Sequence, residues 1–124
     1  MSAMIGTLDG VVLDCPDASV LARFYAELIG GTVSGDAEWS ELVPERPGPR
    51  PLLAFQQVQG YRAPVWPGQE QPQQIHLDVR VDDLDAGERA VLELGATATG
   101  SAKDSFRVYL DPAGHPFCLV HPGY

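Results

Sequence analysis

Apolar and polar residues alternate most strictly between residues 75 and 81. One set is apolar and comprises Ile75, Leu77, Val79 and Val81; the other is polar and comprises His76, Asp78 and Arg80. A period of two is typical of a β-strand with one buried face. The pattern therefore predicts a strand whose second face presents an imidazole, a carboxylate and a guanidinium in one row. That row is either a solvated surface or the floor of a binding cleft.

Two segments replace the alternation with a spacing of three and four residues, which predicts helices. The first covers residues 18–29, begins after Asp17 as its N-cap and stops at Gly30. The second begins after the acidic pair at 82–83 and stops at Gly95. Its buried stripe is predicted to consist of Leu84, Val91 and Leu94.

The remaining apolar runs predict strands on either side of both helices. They cover residues 5–14, 32–34, 39–43, 52–57, 74–81, 96–100, 105–110 and 117–120. The order βαβββ therefore occurs twice, as a first module over about 5–57 and a second over about 74–122, joined by a connecting loop over 58–73. We expect an α+β fold in which tandem modules form a single domain over 1–124, with a curved sheet around a shared cleft.

Length and charge narrow the partners of this domain. At 124 residues the chain is long enough for one packed core. Seventeen acidic residues oppose eight basic ones, and the net charge of −9 disfavours nucleic acid and anionic membranes. No segment has the pattern of a signal peptide or a membrane span, so we expect a cytoplasmic protein. In that compartment Cys15 and Cys118 are expected to remain thiols.

Three parts of the chain resemble the glyoxalase / bleomycin-resistance / extradiol-dioxygenase superfamily, also called the vicinal oxygen chelate superfamily. They are LDCPD at 13–17 with FYAELIG at 24–30, HLDVRVDDLD at 76–85, and DPAGHPFC at 111–118. The resemblance implies paired βαβββ modules whose sheets curve around a cleft, and it implies a homodimer. Bleomycin-resistance relatives sequester a drug in such a cleft, which sets a precedent for ligand capture.

Metal-dependent members of this superfamily hold a divalent ion with His, Gln or Glu from the first and last strands of both modules. The resemblance places those four positions at Gly10, Ala54, His76 and Cys118. Glycine and alanine offer no ligand atom, so we expect no cofactor and no metal at the usual set. An alternative set of His76 and Cys118, completed by Asp14 or Asp78, would suit zinc and is the less favoured hypothesis.

The alternating strand supplies the first candidates for binding or catalysis. His76 can act as acid, base or hydrogen-bond partner, and Arg80 can hold an anion through two parallel hydrogen bonds. An equally supported alternative is an ion pair between Asp78 and Arg80 on the surface, with His76 in a structural network.

Further candidates for ligand contacts are aromatic side chains and a cysteine. They are Trp39 and Tyr109 as cleft walls, Tyr61 and Trp66 in the connecting loop, and Cys118 on the last strand. Packing in a core or a dimer interface explains the aromatic residues equally well. A buried free cysteine is more often a small hydrophobe than a nucleophile.

Three functions fit these observations. The leading hypothesis is a protein that captures or senses a small organic molecule in its cleft without the usual metal. The second is a metal-independent lyase or isomerase that uses His76 as acid or base. The third is a metal-dependent lyase or dioxygenase with an atypical site. The expected partners are a small organic ligand and a second copy of the chain.

Overall fold

The computed structural model describes residues 8–121, which form two compact units divided between Gln59 and Gly60. Among these residues, each unit holds one four-stranded sheet and one helix. The predicted α+β class and the tandem βαβββ modules are confirmed. Residues 5–7 of the predicted first strand and residue 122 of the predicted second module lie outside the described residues.

The first module consists of β1 (Gly10–Cys15), α1 (Ala18–Ile29), β2 (Thr32–Gly35), β3 (Trp39–Val43) and β4 (Leu52–Gln57). Its sheet has the order β1-β4-β3-β2. Strand β1 runs parallel to β4, whereas the other neighbours are antiparallel. Parallel strands need a long connection, and the chain between β1 and β4, which includes α1, provides it.

Helix α1 is fixed by a cap and by an apolar seam. Asp17 is the N-cap, and its carboxylate accepts hydrogen bonds from the backbone N–H groups of Ser19 and Val20. The helix buries Ala18, Leu21, Ala22, Phe24 and Tyr25. The Tyr25 ring stacks on Phe55 of β4 with 5.7 Å between ring centroids. This aromatic seam removes a large apolar area from water and forms the core of the first module.

The second module consists of β5 (Leu77–Arg80), α2 (Leu84–Glu93), β6 (Thr97–Lys103), β7 (Phe106–Leu110) and β8 (Pro116–Val120). Its sheet order, β5-β8-β7-β6, repeats that of the first module, and β5 runs parallel to β8. Both cysteines of the chain are buried free thiols.

Strand β5 is shorter than the sequence pattern predicts. Its pairing with β8 begins at Leu77 opposite Phe117. Pro116 precedes Phe117 and has no backbone N–H with which to extend the ladder. Ile75 is consequently 59% exposed rather than buried. Strand β6, by contrast, continues to Lys103, beyond its predicted end.

Helix α2 meets its sheet through fewer apolar contacts than α1. It is capped by Asp83 and ends before Gly95, as the sequence predicts. Of the predicted stripe, Val91 is fully buried, whereas Leu84 and Leu94 are half-buried. The apolar part of this seam is therefore narrow.

Polar bonds supplement that seam. Arg107 of β7 donates to the Asp85 carboxylate at 2.7 Å, and the Tyr109 hydroxyl donates to Glu88 Oε1 at 2.8 Å. Two successive inward positions of β7 are thus tied to successive turns of α2.

The connecting loop packs onto the second module. The Tyr61 hydroxyl donates to the Ala113 carbonyl at 2.7 Å and lies 3.3 Å from His115 Nε2. Gly114 has a φ of +91°, and a Cβ added there would come within 2.7 Å of the Ala63 Cβ. Glycine is required at this turn by both its backbone conformation and the approach of the loop.

The helices of the described chain do not combine the length and apolar character needed to cross a lipid bilayer.

Candidate functional site

A pocket of about 300 Å³ opens on the second sheet, on the face that turns away from α2. The alternation of β8 separates the two faces. Leu119 packs towards Gly87 of α2, whereas its neighbours Cys118 and Val120 line the pocket. The pocket walls are formed by Trp66, Gln73, His76, Asp78, Phe106, Val108, Pro116, Cys118 and Val120.

The polar end of the pocket is built by two paired strands. Asp78 of β5 lies opposite Cys118 of β8 in the parallel ladder. His76 stands just before β5, and its Nε2 is 3.3 Å from Asp78 Oδ1. One ligand atom from each of these three side chains lies within 4.8 Å of the other two. The structure thus brings together three of the residues that the sequence singled out.

Burial and the Asp78 carboxylate together control the protonation of Cys118 at this end of the pocket. Burial raises the pKa of the Cys118 thiol to about 11, and the neighbouring Asp78 carboxylate adds to the increase by repelling a thiolate and accepting the S–H. Without a cation nearby, Cys118 is therefore a neutral thiol at neutral pH. Nucleophilic catalysis needs a thiolate, so the raised pKa disfavours covalent catalysis by Cys118.

The other end of the pocket is apolar. Val108, Cys118 and Val120 form a buried cluster, and Trp66 and Phe106 pack against it. Trp66 is supplied by the connecting loop, so the loop contributes a wall to the pocket of its own module. Two aromatic rings and two valines give this end the character of a site for an organic group.

Gln73 adds an unsatisfied group to the pocket wall. Its Oε1 is buried and has no hydrogen-bond partner among the described residues. A buried acceptor without a partner costs on the order of 1–3 kcal/mol. A bound molecule that supplies a donor would remove this cost.

Two predicted site residues lie elsewhere. Arg80 lines a separate and wider groove of about 510 Å³ beside the start of α2, together with Asp83 and Gly87. Trp39 belongs to β3 of the first module, where it is 41% exposed and donates from Nε1 to Glu41 at 3.1 Å. The row of three polar groups predicted for one strand face is therefore divided, because only its first two members line the pocket.

The structure also places both predicted tyrosines outside the pocket. Tyr109 is fully buried on the helix side of β7, where its hydroxyl bonds to Glu88. Tyr61 anchors the connecting loop through the Ala113 carbonyl. Burial raises the pKa of Tyr109 to about 12, and its bond to the Glu88 carboxylate contributes to that rise.

The pocket contains residues that the sequence analysis did not select. They are Gln73, Phe106, Val108, Pro116 and Val120. A signal for the correct face of β7 was present: Arg107 complements Asp85 and Glu88, which lie three residues apart on α2. Because side chains alternate along a strand, placing Arg107 against the helix assigns Phe106 and Val108 to the opposite face.

The family model of the glyoxalase-like domain matches residues 10–120. The chain belongs to the glyoxalase-like domain family. Together with solved structures of the same architecture, this match confirms the resemblance to the vicinal oxygen chelate superfamily. A search of curated proteins gave no significant match.

Solved structures share the architecture of this glyoxalase-like domain at low sequence identity. A glyoxalase/bleomycin resistance protein/dioxygenase family enzyme from Burkholderia phytofirmans PsJN has a TM-score of 0.70 at 15% identity, covering 94% of this chain and 98% of its own. A glyoxalase-related enzyme from Fulvimarina pelagi has a TM-score of 0.66 at 18% identity, covering 96% and 90%. The fosfomycin resistance protein FosX from Listeria monocytogenes has a TM-score of 0.67 at 11% identity, covering 95% and 94%. At these identities the likeness establishes the fold and not a substrate.

The four metal positions implied by the superfamily do not form a ligand set in this glyoxalase-like domain. Gly10 and Ala54 carry no donor atom, and Ala54 is only 1% exposed. A Cβ added at Gly10 would lie 2.9 Å from Leu52 Cδ1 and 3.0 Å from the Leu52 carbonyl oxygen. A larger side chain at position 10 would therefore push against β4. The usual four-ligand site does not fit these residues.

Proposed function

We propose that this glyoxalase-like protein binds a small organic molecule in the pocket of its second module, without the usual metal set of the superfamily. The observation that carries the proposal is the pocket itself, which joins an aromatic and aliphatic end to a polar end. Its volume of about 300 Å³ is at the small end of the range for ligand sites. The proposed role is capture or sensing of that molecule.

The lining favours a neutral or cationic molecule that carries hydrogen-bond donors. Asp78 contributes a carboxylate and Gln73 a buried acceptor, and no lysine or arginine is among the described residues of the pocket wall. An amine could meet the Asp78 carboxylate while its organic part contacts Trp66 and Phe106. A carboxylate or phosphate would meet a charge of its own sign.

Tryptophan fluorescence offers a direct test, because the chain has two tryptophans and one of them lines the pocket. In the variant Trp39→Phe, Trp66 is the single reporter of pocket occupancy. We expect benzylamine and related aromatic amines to change Trp66 emission saturably and to raise Tm. Benzoate, which has a similar shape and the opposite charge, should do neither. A ligand at 100 times its Kd stabilises the folded state by about 2.7 kcal/mol.

A matched pair of variants separates the pocket from nonspecific binding. Trp66→Ala should abolish the rise in Tm, whereas Trp39→Ala should leave it intact because Trp39 is not among the described residues that line the pocket. Aromatic amines that fail to stabilise the protein at millimolar concentration, or that stabilise both variants equally, would contradict binding in this pocket.

A second candidate function is acid–base catalysis by His76, as in a metal-independent lyase or isomerase. The observation in its favour is the 3.3 Å approach of His76 Nε2 to the Asp78 carboxylate, which can orient the imidazole beside the pocket. For a compound that both binds and is converted, His76→Ala should abolish turnover while binding persists. Turnover that survives this substitution would exclude the role.

A further inference from the structure

We propose that His76, Asp78 and Cys118 hold a zinc-type divalent metal ion in a site built from the second module alone. This site departs from the superfamily set implied by the resemblance, which draws ligands from both modules. It keeps two of those four positions and adds Asp78, which is not one of them. The ion and the proposed amine would compete for the Asp78 carboxylate, so each is tested separately and neither proposal depends on the other.

The ligand chemistry suits zinc. Imidazole nitrogen, carboxylate oxygen and cysteine sulfur are its three usual protein ligands, and mixed nitrogen and sulfur sets select against magnesium and calcium. A tetrahedral zinc shell with standard bond lengths places its ligand atoms roughly 3.3–3.8 Å apart. Here the three atoms lie within 4.8 Å of one another. Small rotamer changes would close the remaining gap.

The side chains that must move are the ones free to do so. His76 and Asp78 have side-chain exposures of 44% and 40%, so their rotamers are not locked by packing. Cys118, by contrast, is only 8% exposed and sits on the central strand of the ladder opposite Asp78. One buried ligand on a rigid strand and two adjustable ligands at the pocket mouth can contract around an ion.

The local charge also favours a cation. The Asp78 carboxylate faces the thiol and the imidazole, and none of the described residues that line this pocket is a lysine or arginine. A bound divalent ion would replace the thiol proton, because metals deprotonate the thiols that ligate them. Three protein ligands leave a fourth position open, as in catalytic zinc sites, and that position would be reached from the pocket.

Cobalt(II) substitution tests the proposal directly. Protein made without a histidine tag is stripped with a chelator and titrated with cobalt(II), and the spectrum is followed. We expect one equivalent to bind with a thiolate-to-cobalt charge-transfer band in the near ultraviolet and with intense visible bands typical of four-coordinate cobalt. Zinc should displace the cobalt and remove both features.

The two cysteines provide matched variants. Cys118→Ser should lose the charge-transfer band and at least tenfold in cobalt affinity. Cys15→Ser should keep both, because Cys15 is not one of the three proposed ligands and donates to the Gln56 carbonyl at 3.5 Å, a bond that serine can replace. His76→Gln and Asp78→Asn alter exposed side chains, so they should fold normally and weaken cobalt binding at least tenfold each.

Two outcomes would overturn the metal site. One is the absence of stoichiometric binding, and the other is cobalt binding with no thiolate band and no response to Cys118→Ser. The Trp66 fluorescence titration with aromatic amines is run separately on chelator-treated protein. If cobalt does not bind but aromatic amines do, the metal site is rejected and the proposed organic ligand is retained. If cobalt binds but amines do not, the organic ligand is rejected and the metal site is retained.

Discussion

The two modules repeat one topology but differ in the chemistry they carry at equivalent positions. In the first module, Val12 of β1 lies opposite Ala54 of β4; in the second, Asp78 of β5 lies opposite Cys118 of β8. The first strand pair thus presents an apolar surface where the second presents a carboxylate and a thiol. The fold by itself does not specify a site, since the same backbone ladder supports both surfaces.

The contacts between helix and sheet also differ between the two modules, and here the first module has the more extensive apolar contact. Five residues of α1 are buried, whereas Val91 alone is buried on α2. Apolar packing therefore holds the first module, and α2 relies more on the polar bonds of Arg107 and Tyr109. The first module therefore has the more apolar contact between helix and sheet, and four sets of variants test the differences between the two modules.

The largest expected effect is on the core of the first module. Phe55→Ala should lower the free energy of unfolding by about 3–5 kcal/mol, because it leaves a cavity beneath the Tyr25 ring. Val91→Ala should cost less, about 2 kcal/mol, because it removes two methyl groups. Urea unfolding can be followed module by module, with Trp39 reporting the first in Trp66→Phe and Trp66 the second in Trp39→Phe. Equal losses of unfolding free energy in the two variants would contradict the difference between the helix–sheet contacts of the two modules.

The second-largest effect is expected at position 10, where close contact with Leu52 leaves little room for the side chain of a metal ligand. Glycine within a strand is normally destabilising, so Gly10→Ala would ordinarily help. The contacts with Leu52 should reverse that sign and give a loss of about 1–2 kcal/mol. Gly48→Ala is the control, because nothing lies within 4 Å of a Cβ at that position. A stabilised Gly10→Ala protein would show that sterics do not keep a side chain out of position 10.

A smaller effect is expected at the polar seam of α2. Tyr109→Phe should cost about 1 kcal/mol at neutral pH through loss of the bond to Glu88. The folded-state pKa of Tyr109, about 12, lies above its ordinary value of 10. The stability that it confers is therefore complete below pH 10 and is lost as pH rises from about 10 to about 12.

Ultraviolet titration of phenolate absorbance tests this assignment. Tyr109 should ionise near pH 12 in the wild type, and Glu88→Gln should lower its pKa towards 10 while burial keeps it above that value. If Glu88→Gln left the late titration unchanged, the carboxylate would have no part in the shift.

The smallest effect compares the two helix caps. Hydrogen bonds from the Ser19 hydroxyl and the Val20 N–H lower the pKa of Asp17, and a bond from the Ala86 N–H lowers that of Asp83. Each carboxylate stabilises the fold above pH 3.8, and the contribution is lost as pH falls through the lowered folded-state pKa. Asp17→Ala should lower Tm more than Asp83→Ala, because Asp17 also holds the Ser19 hydroxyl at 2.7 Å. The loss in Tm caused by each of the two substitutions should become smaller at acidic pH.

The sequence by itself determined the elements and their order. The caps at Asp17 and Asp83, the glycine stops and the change from a period of two to one of three and four are local signals. These local signals predicted both helices, and the repeated order of elements predicted the tandem modules. The resemblance added the superfamily and identified His76 and Cys118 as positions worth attention.

The tertiary structure decided which of these side chains meet. An alternating strand has two faces, and the apolar alternation alone does not state which one a helix covers; the bonds from α2 place Tyr109 in the core and Val108 in the pocket. The sequence also left Asp14 and Asp78 equivalent as partners of Cys118. Strand register is a long-range property, and the parallel pairing of β5 with β8 is what sets Asp78 opposite Cys118.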